Sequence, residues 1–351
     1  MRARSCTFAV ATLMLTVPTG PASRADGTGS TRWFLAYPGT NKGGMGIRYD
    51  VDDFVRVLGA VDSTGRVTSW LCTGVIFLQL YAASGRTFTT WIGGTAANGA
   101  DWHEYLDSIV GAGGALTRLD SAVGVVAAQV GALAGPLPVA IMIPYPEPKS
   151  DSIRFEGKSY DLRSAAGRVD AVDSYVKNAV SRFQAGRFTH LRLDGFYWLK
   201  ETISGADEEA VRGVSSRVHA QRLRFLWIPY FGAAGQTRWK ELGFDEAWLQ
   251  PNYFFTLSLP PDRLDSAAVH AQGAGLGIAL EFNARVFADF HYAVRLDPYL
   301  DMLKRFPGFQ GRSMAVYDGQ GALIRLSRSS DPRDRGLYLR LVSALTSRGS
   351  K

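Results

Sequence analysis

The stretch His190–Glu201, HLRLDGFYWLKE, decides how the chain is read. It opens as a strand, with Leu191 and Leu193 alternating with polar neighbours, runs through Phe196, Tyr197 and Trp198, and ends on an acid. A helix signal follows at once in SGADEEAVRGVSS, where Ser204 or Asp207 can accept the first free N–H groups and acids fill the first turn. A strand that carries a carboxylate and three rings to the point where a helix begins predicts the fourth strand of a (β/α)8 barrel. Glu201 then stands at the rim.

Outward from that stretch the pattern repeats. Trp33–Tyr37, Gly74–Leu80 and Leu137–Ile143 precede it as short apolar runs; Arg224–Ile228, Glu246–Gln250, Leu276–Glu281 and Met314–Tyr317 follow it. Helical patterns separate them: one after a cap near Asp50 with Phe54, Val55 and Leu58 inward, then Trp102–Val110, Leu116–Val130, Arg168–Phe183, a short one at Arg238–Leu242, Pro261–Gln272, Asp297–Phe306 and a closing run at Asp331–Ser347. Strands that read as continuously apolar are buried on both faces, as in a parallel sheet. The fold class expected is α/β, a single (β/α)8 TIM barrel over residues 26–351. A doubly wound sheet would give a similar alternation, but GTNKGGMG at Gly39–Gly46 matches the GxGxxG phosphate turn poorly and precedes no clean helix.

Residues 1–25 read as a signal peptide: Arg2 and Arg4 form a charged start, Thr7–Val17 is apolar but short, and Ser23-Arg24-Ala25 resembles a small-x-small cleavage site. The expectation is a secreted or periplasmic protein with no stable membrane insertion after cleavage. Loss of Cys6 with that segment leaves Cys72 alone, so no intrachain disulfide can form and stability rests on the core. Removing Arg2, Arg4 and Arg24 takes the formal net charge from +7 to +4, and the remaining basic residues are interspersed with acids. With no basic block or nucleic-acid module signature, no nucleic-acid partner is expected, and the chain reads as a monomer.

In a barrel the reactive rim is built from strand ends and the loops after them. Those ends supply Tyr37, Gln79, Tyr145, Glu147, Tyr197, Trp198, Glu201, Tyr230, Gln250, Asn252, Tyr253, Glu281, Asn283, Tyr317 and Asp318. Aromatic faces stack on sugar C–H patches, while amides and acids bond hydroxyls, so a carbohydrate partner is expected. Tyr37, Tyr197, Tyr230, Asn252 and Tyr253 are the substrate-binding candidates. Glycosidic cleavage needs two carboxyl groups flanking one bond, and Glu201 and Glu281, from strands four and seven, face each other across the mouth. Asp194, earlier on strand four and just before Gly195, is the alternative acid; otherwise it pairs with Arg192 or a neighbour.

The segments GFYWLKE (Gly195–Glu201), WIPYF (Trp227–Phe231), GFDEAWLQPNYFF (Gly243–Phe255) and GIALEFN (Gly277–Asn283) resemble a family of secreted bacterial proteins catalogued as domain of unknown function 4855. The acids closing strands four and seven more loosely resemble the clan A pattern of retaining (β/α)8 glycoside hydrolases. That resemblance implies Glu201 as general acid/base and Glu281 as nucleophile. Where that clan has Asn before the strand-four acid, this chain has Lys200, whose charge beside Glu201 would lower its pKa.

The histidines (His103, His190, His219, His270, His291) show no HxH or HExxH spacing, and no GxSxG elbow occurs, so neither a metal site nor a serine nucleophile is expected. The chemistry calls for no cofactor. The function expected is an exported glycoside hydrolase acting on a polysaccharide or glycoconjugate. The alternative is a non-catalytic carbohydrate-binding barrel with the same rim.

Overall fold

The computed structural model describes residues 31–39, 46–309 and 312–346. The targeting segment expected at residues 1–25 lies outside the described residues, as do most of Gly39–Gly46 and the last residue of the expected closing helix. Eight strands form the centre: β1 (Arg32–Ala36), β2 (Gly74–Phe77), β3 (Leu137–Ile143), β4 (Leu191–Trp198), β5 (Arg224–Trp227), β6 (Glu246–Leu249), β7 (Gly277–Asn283) and β8 (Met314–Gly319). They hydrogen-bond in chain order, all parallel, and β8 returns to β1 to close the ring. The expected single (β/α)8 barrel is the fold observed.

Paired residues of neighbouring strands share a face, so the register says which side chains fill the barrel. Trp33 on β1 pairs with Gly74 and Ala315, and Trp248 on β6 pairs with Gly277. The two indoles meet across the interior with ring centroids 6.1 Å apart. A Cβ at Gly74 would come within 2.8 Å of Trp33, and one at Gly277 within 2.4 Å of Trp248. Small residues on adjacent strands therefore make the room that two large rings need. Followed toward the C-terminal strand ends, the same interior face reaches Tyr197, Glu281 and Tyr317.

One irregularity decides that outcome. The β3–β4 register runs Val139 to Leu193 and then Ala140 to Gly195, leaving Asp194 as a bulge. A one-residue bulge reverses which side every later side chain faces. It turns Tyr197 into the barrel and sends Phe196 and Trp198 outward, where Trp198 meets Phe225 at 6.1 Å and Tyr145 at 6.0 Å. At the bulge the backbones of β4 and β5 approach so closely that a Cβ on Gly195 would lie 2.3 Å from the Arg224 carbonyl oxygen.

Helices cover the outside of the ring, among them Val51–Leu58, Gly99–Val110, Ala115–Val130, Ala165–Gly186, Gly205–Ala220, Asp262–Gly273, Leu296–Arg305 and Pro332–Thr346. Asp50 caps the first through the Asp53 N–H at 2.7 Å, as its position before the apolar run implies. The helix expected at Arg238–Leu242 is instead a 3-10 turn at Gln236–Arg238. Gly235 and Gly243, both at positive φ, bracket a segment too short to nucleate an α-helix. Two antiparallel hairpins (Gly59–Val61 with Val67–Trp70, and Ser152–Phe155 with Lys158–Asp161) and a helix at Ala322–Arg328 lie beyond the expected pattern.

Gly195→Ala is expected to lower stability by about 1–3 kcal/mol, because the clash is with backbone that cannot rotate away. Urea denaturation checks it; a midpoint equal to wild type would remove the bulge as the determinant of the β4 register.

Candidate functional site

Glu281 sits on the inward face of β7, paired with Tyr317 of β8, and is 2% exposed. Its Oε2 accepts from the Tyr299 hydroxyl at 2.8 Å and from the Asn252 backbone N–H at 2.9 Å. Asn252 presents that N–H from a left-handed backbone conformation, φ 53°. Burial pushes the Glu281 carboxyl up to about 7; the two donors pull the other way, and the charge of Glu201 pushes further up.

Glu201 lies three residues past β4, half-buried, and accepts from Gln250 Nε2 at 3.0 Å. Gln250 is itself fixed at the end of β6: its backbone N–H donates to the Pro229 carbonyl and its carbonyl accepts from Phe231. Burial pushes Glu201 up to about 7 as well, against the Gln250 amide. Lys200 does not enter. Its Nζ points away, donating to Asp207 at 2.7 Å and to the Tyr145 hydroxyl at 2.9 Å, while its carbonyl accepts from the Trp227 indole at 2.9 Å. The expectation that Lys200 would lower the Glu201 pKa is therefore corrected: the lysine charge is consumed by a partner behind the strand.

The tyrosines gather around the two acids. Burial first, and then the charge of Glu201 together with the neighbouring hydroxyls, holds Tyr37 well above the usual tyrosine range. Tyr197 is raised for the same two reasons, burial and Glu201. Tyr317, which is raised by burial, Asp318 and both glutamates, meets Tyr37 edge-on at 5.5 Å. The structure thus brings Glu201, Glu281, Tyr37 and Tyr197 into one cluster, and adds Gln250, Tyr299 and Tyr317. Asn252 contributes its backbone to Glu281, and its side-chain Oδ1, buried, has no partner among the described residues. Tyr230 bridges to Gln250 along the backbone and is half-buried, at the edge of the cluster.

Two expected site residues lie elsewhere. Tyr253 is 2% exposed behind Glu281, packed against Tyr299 at 5.7 Å with the Arg295 guanidinium 3.6 Å over its ring, so it supports the site and offers no face to a ligand. Asp194 sits at the bulge near the opposite end of the barrel, where it accepts from Arg192 and from Arg224 Nε at 2.6 Å. Arg224 also bonds Glu246 at 2.9 Å. Asp194 is the ion-paired acid, and it is not at the mouth. Glu147 likewise bonds Thr90 and the Lys149 N–H, capping a turn.

The contrast between the acids is chemical. Buried Asp207 is neutralised by Arg168 at 2.7 Å and by Lys200, and these with Tyr145 hold it below the usual carboxylate range against burial. Asp194 has two arginines. Among the described residues no lysine, arginine or histidine forms an ion pair with Glu201 or Glu281, and no group of three His, Cys, Asp or Glu side chains is placed to hold a metal ion. Asp318, pushed up to about 8 by burial, accepts the Leu323 N–H at 2.9 Å at the start of the helix after β8.

A family model described as "Domain of unknown function (DUF4855)" matches residues 33–343. Among solved structures the chain is similar to the catalytic domain of a family GH18 chitinase from the fern Peteris ryukyuensis, at 14% identity and a TM-score of 0.47, over 90% of this chain and 100% of that one. It is also similar to mutant tryptophan synthase alpha-subunits from the hyperthermophile Pyrococcus furiosus; one has 10% identity and a TM-score of 0.40, over 91% of this chain and 97% of that one. No curated protein matches.

The unpaired acids make a stability prediction with a definite sign. Each folded-state pKa lies near 7 against an ordinary 4.5, so the native state loses stability as pH rises from about 4.5 to about 7. Glu281→Gln should match wild type at pH 4.5 and exceed it at pH 8 by about 1–3 kcal/mol. Asp194→Asn, which strips a buried partner from Arg224, should lose about 2–4 kcal/mol at pH 8. Thermal melts of the three proteins at the two pH values check both; a Glu281→Gln variant less stable than wild type at pH 8 contradicts the uncompensated charge.

Proposed function

The chain belongs to the family described as domain of unknown function (DUF4855), and we propose that it is an exported glycoside hydrolase that cleaves a polysaccharide or glycoconjugate with Glu201 and Glu281. The observation that carries the reading is the pair itself: two carboxyl groups, one on β7 and one just past β4, both pushed up to about 7 by burial, the charge of Glu201 raising Glu281 further, and neither with a cation. Burying such a pair works against the fold, and perturbed, uncompensated acids in a barrel mouth are what acid–base chemistry near neutral pH requires.

The two environments divide the roles. Hydrogen bonds to the charged form favour ionisation. Glu281 has two donors on one oxygen, and Glu201 has a single amide. On that hydrogen-bond count we assign the charge to Glu281 and the proton to Glu201, although the charge of Glu201 works the other way by raising Glu281. Glu201 then protonates the departing glycosidic oxygen while the Glu281 carboxylate attacks the anomeric carbon. A water, deprotonated by Glu201, releases the sugar from Glu281 with its configuration retained. Tyr37, Tyr197 and Tyr317 surround the acids with rings and hydroxyls. No cofactor enters these steps.

Export rests on residues 1–25, and N-terminal sequencing of protein recovered outside the cytoplasm should find the first residue after Ala25. Incubation of the purified protein with a polysaccharide panel should release reducing ends, with the product anomer seen by NMR matching the substrate. The pH–rate profile should be a bell with limbs on either side of about 7. Glu281→Gln should abolish turnover and Glu201→Gln should lower it by about 10²–10⁴-fold. Retention of a polysaccharide with no turnover by wild type would assign the chain to the carbohydrate-binding alternative; undiminished turnover by Glu281→Gln would remove the nucleophile.

A further inference from the structure

Among the described residues, the large exposed apolar side chains on segments that follow strand C-termini are Trp91, Phe255, Leu257, Phe290 and Val294, and of these Trp91 and Phe255 are the rings carried outside any α-helix. Trp91, 58% exposed, lies on the turn Thr90–Ile92 in the loop after β2, and Phe255, 37% exposed, lies in the loop after β6. Neither is loosely attached. The Trp91 turn is tied to the loop after β3, through Thr90 bonding Glu147 and through the Tyr145 N–H donating to the Phe88 carbonyl at 3.0 Å. Phe255 meets Tyr317 at 6.0 Å, and Tyr317 meets Tyr37 at 5.5 Å, so a run of rings leads from the acids out to the surface.

The strand order sets where these rings stand. In a closed ring of eight, β2 and β6 are four positions apart, on opposite sides of the mouth. A line from β2 to β6 leaves β4, which carries Glu201, on one side and β7, which carries Glu281, on the other. A linear molecule laid along that line would pass between the two acids, Glu201 near its middle and Glu281 nearer the β6 end. The stretches that carry both rings are also uncharged: Thr87–Asn98 (TFTTWIGGTAAN) and Pro251–Pro261 (PNYFFTLSLPP) hold rings among hydroxyls and amides. Rings presented singly among hydroxyl-bearing residues suit the C–H faces and hydroxyls of sugars.

We propose that Trp91 and Phe255 are outer stacking subsites for a glycan chain that spans the mouth from the β2 side to the β6 side, so that the bond broken lies within the polymer. The proposal rests on the glycoside hydrolase reading for its cleavage step and names the substrate class as polymeric, held on both sides of the scissile bond. Because the outer contacts are stacking and neutral hydrogen bonds, they are insensitive to salt.

The test uses the full chain, with Trp91→Ala and Phe255→Ala, on hydroxyethyl cellulose, glycol chitin, mannan and xylan. Viscosity and reducing ends are followed together, and retardation is measured by affinity electrophoresis in gels holding each polymer at 50 mM and at 500 mM salt (about a threefold change in screening length). On the polymer that wild type cleaves, viscosity should fall before reducing ends accumulate. Each variant should raise KM by roughly tenfold, equivalent to about 1.4 kcal/mol, with kcat changed far less, and should lose retardation equally at both salts. Release of monosaccharide from the outset without loss of viscosity, or KM and retardation like wild type in both variants, overturns the proposal. If no polymer is cleaved but wild type is retarded and both variants are not, the subsites stand and the catalytic reading falls. If wild type is neither active nor retarded on any of the four, the subsites fall as well.

Discussion

The constraint around which the mouth is built is the cost of keeping two carboxyl groups out of water with no cation beside them. The barrel has cations to spend, and it spends them elsewhere. Arg224 and Arg192 neutralise Asp194 near the far end of the ring, and Arg168 and Lys200 neutralise Asp207 behind β4. Glu201 and Glu281 receive only neutral donors: an amide, a hydroxyl and a backbone N–H. Neutral donors orient a carboxyl and trim its pKa without fixing its charge, which leaves both groups able to change protonation near neutral pH.

The β4 bulge links that electrostatic arrangement to the fold. Asp194 is the extra residue, and its two arginine partners satisfy it where the ladder is interrupted. The reversal of facing beyond it brings Tyr197 inward beside Glu201 and sends Trp198 out to the helices. One structural ion pair at the bottom of the strand thus governs which ring meets the acids at the top. The DGFYW segment serves both ends of the barrel within five residues.

Much of the ring was legible because strands buried on both faces are apolar without interruption, and all eight appear within a few residues of where composition puts them. The cap at Asp50 and the long helices were legible for the same local reason. What depends on facing was not. Tyr253 and Tyr197 look alike in sequence, each an aromatic at a strand end, yet one packs behind Glu281 and the other faces Glu201. Lys200 adjoins Glu201 in the chain, but side-chain direction sends its charge to Asp207. Tyr299 carried no signal at all: it sits within a helix, and only the tertiary fold brings its hydroxyl to Glu281. For Asp194 the reading that holds is the ion pair with Arg192 or a neighbour, and its place as the extra residue of a bulge carried no signal in the sequence.

The firmness of Glu281 follows from a single arginine behind it. Arg295 is 7% exposed, and its guanidinium lies 3.6 Å over the Tyr253 ring while donating to the carbonyls of Tyr253, Thr256 at 2.9 Å and Leu259 at 3.2 Å. Those carbonyls belong to the loop after β6 that includes Asn252, whose N–H holds Glu281. Arg295 also directly precedes the helix that carries Tyr299, and Tyr253 packs on Tyr299. Both donors to Glu281 are therefore set by one cation that never touches the acid. A guanidinium at that remove fixes geometry through its planar fork of donors, whereas the same charge in contact would hold Glu281 permanently ionised. Placing the cation one layer back gives the carboxylate an ordered position and leaves its proton free to move.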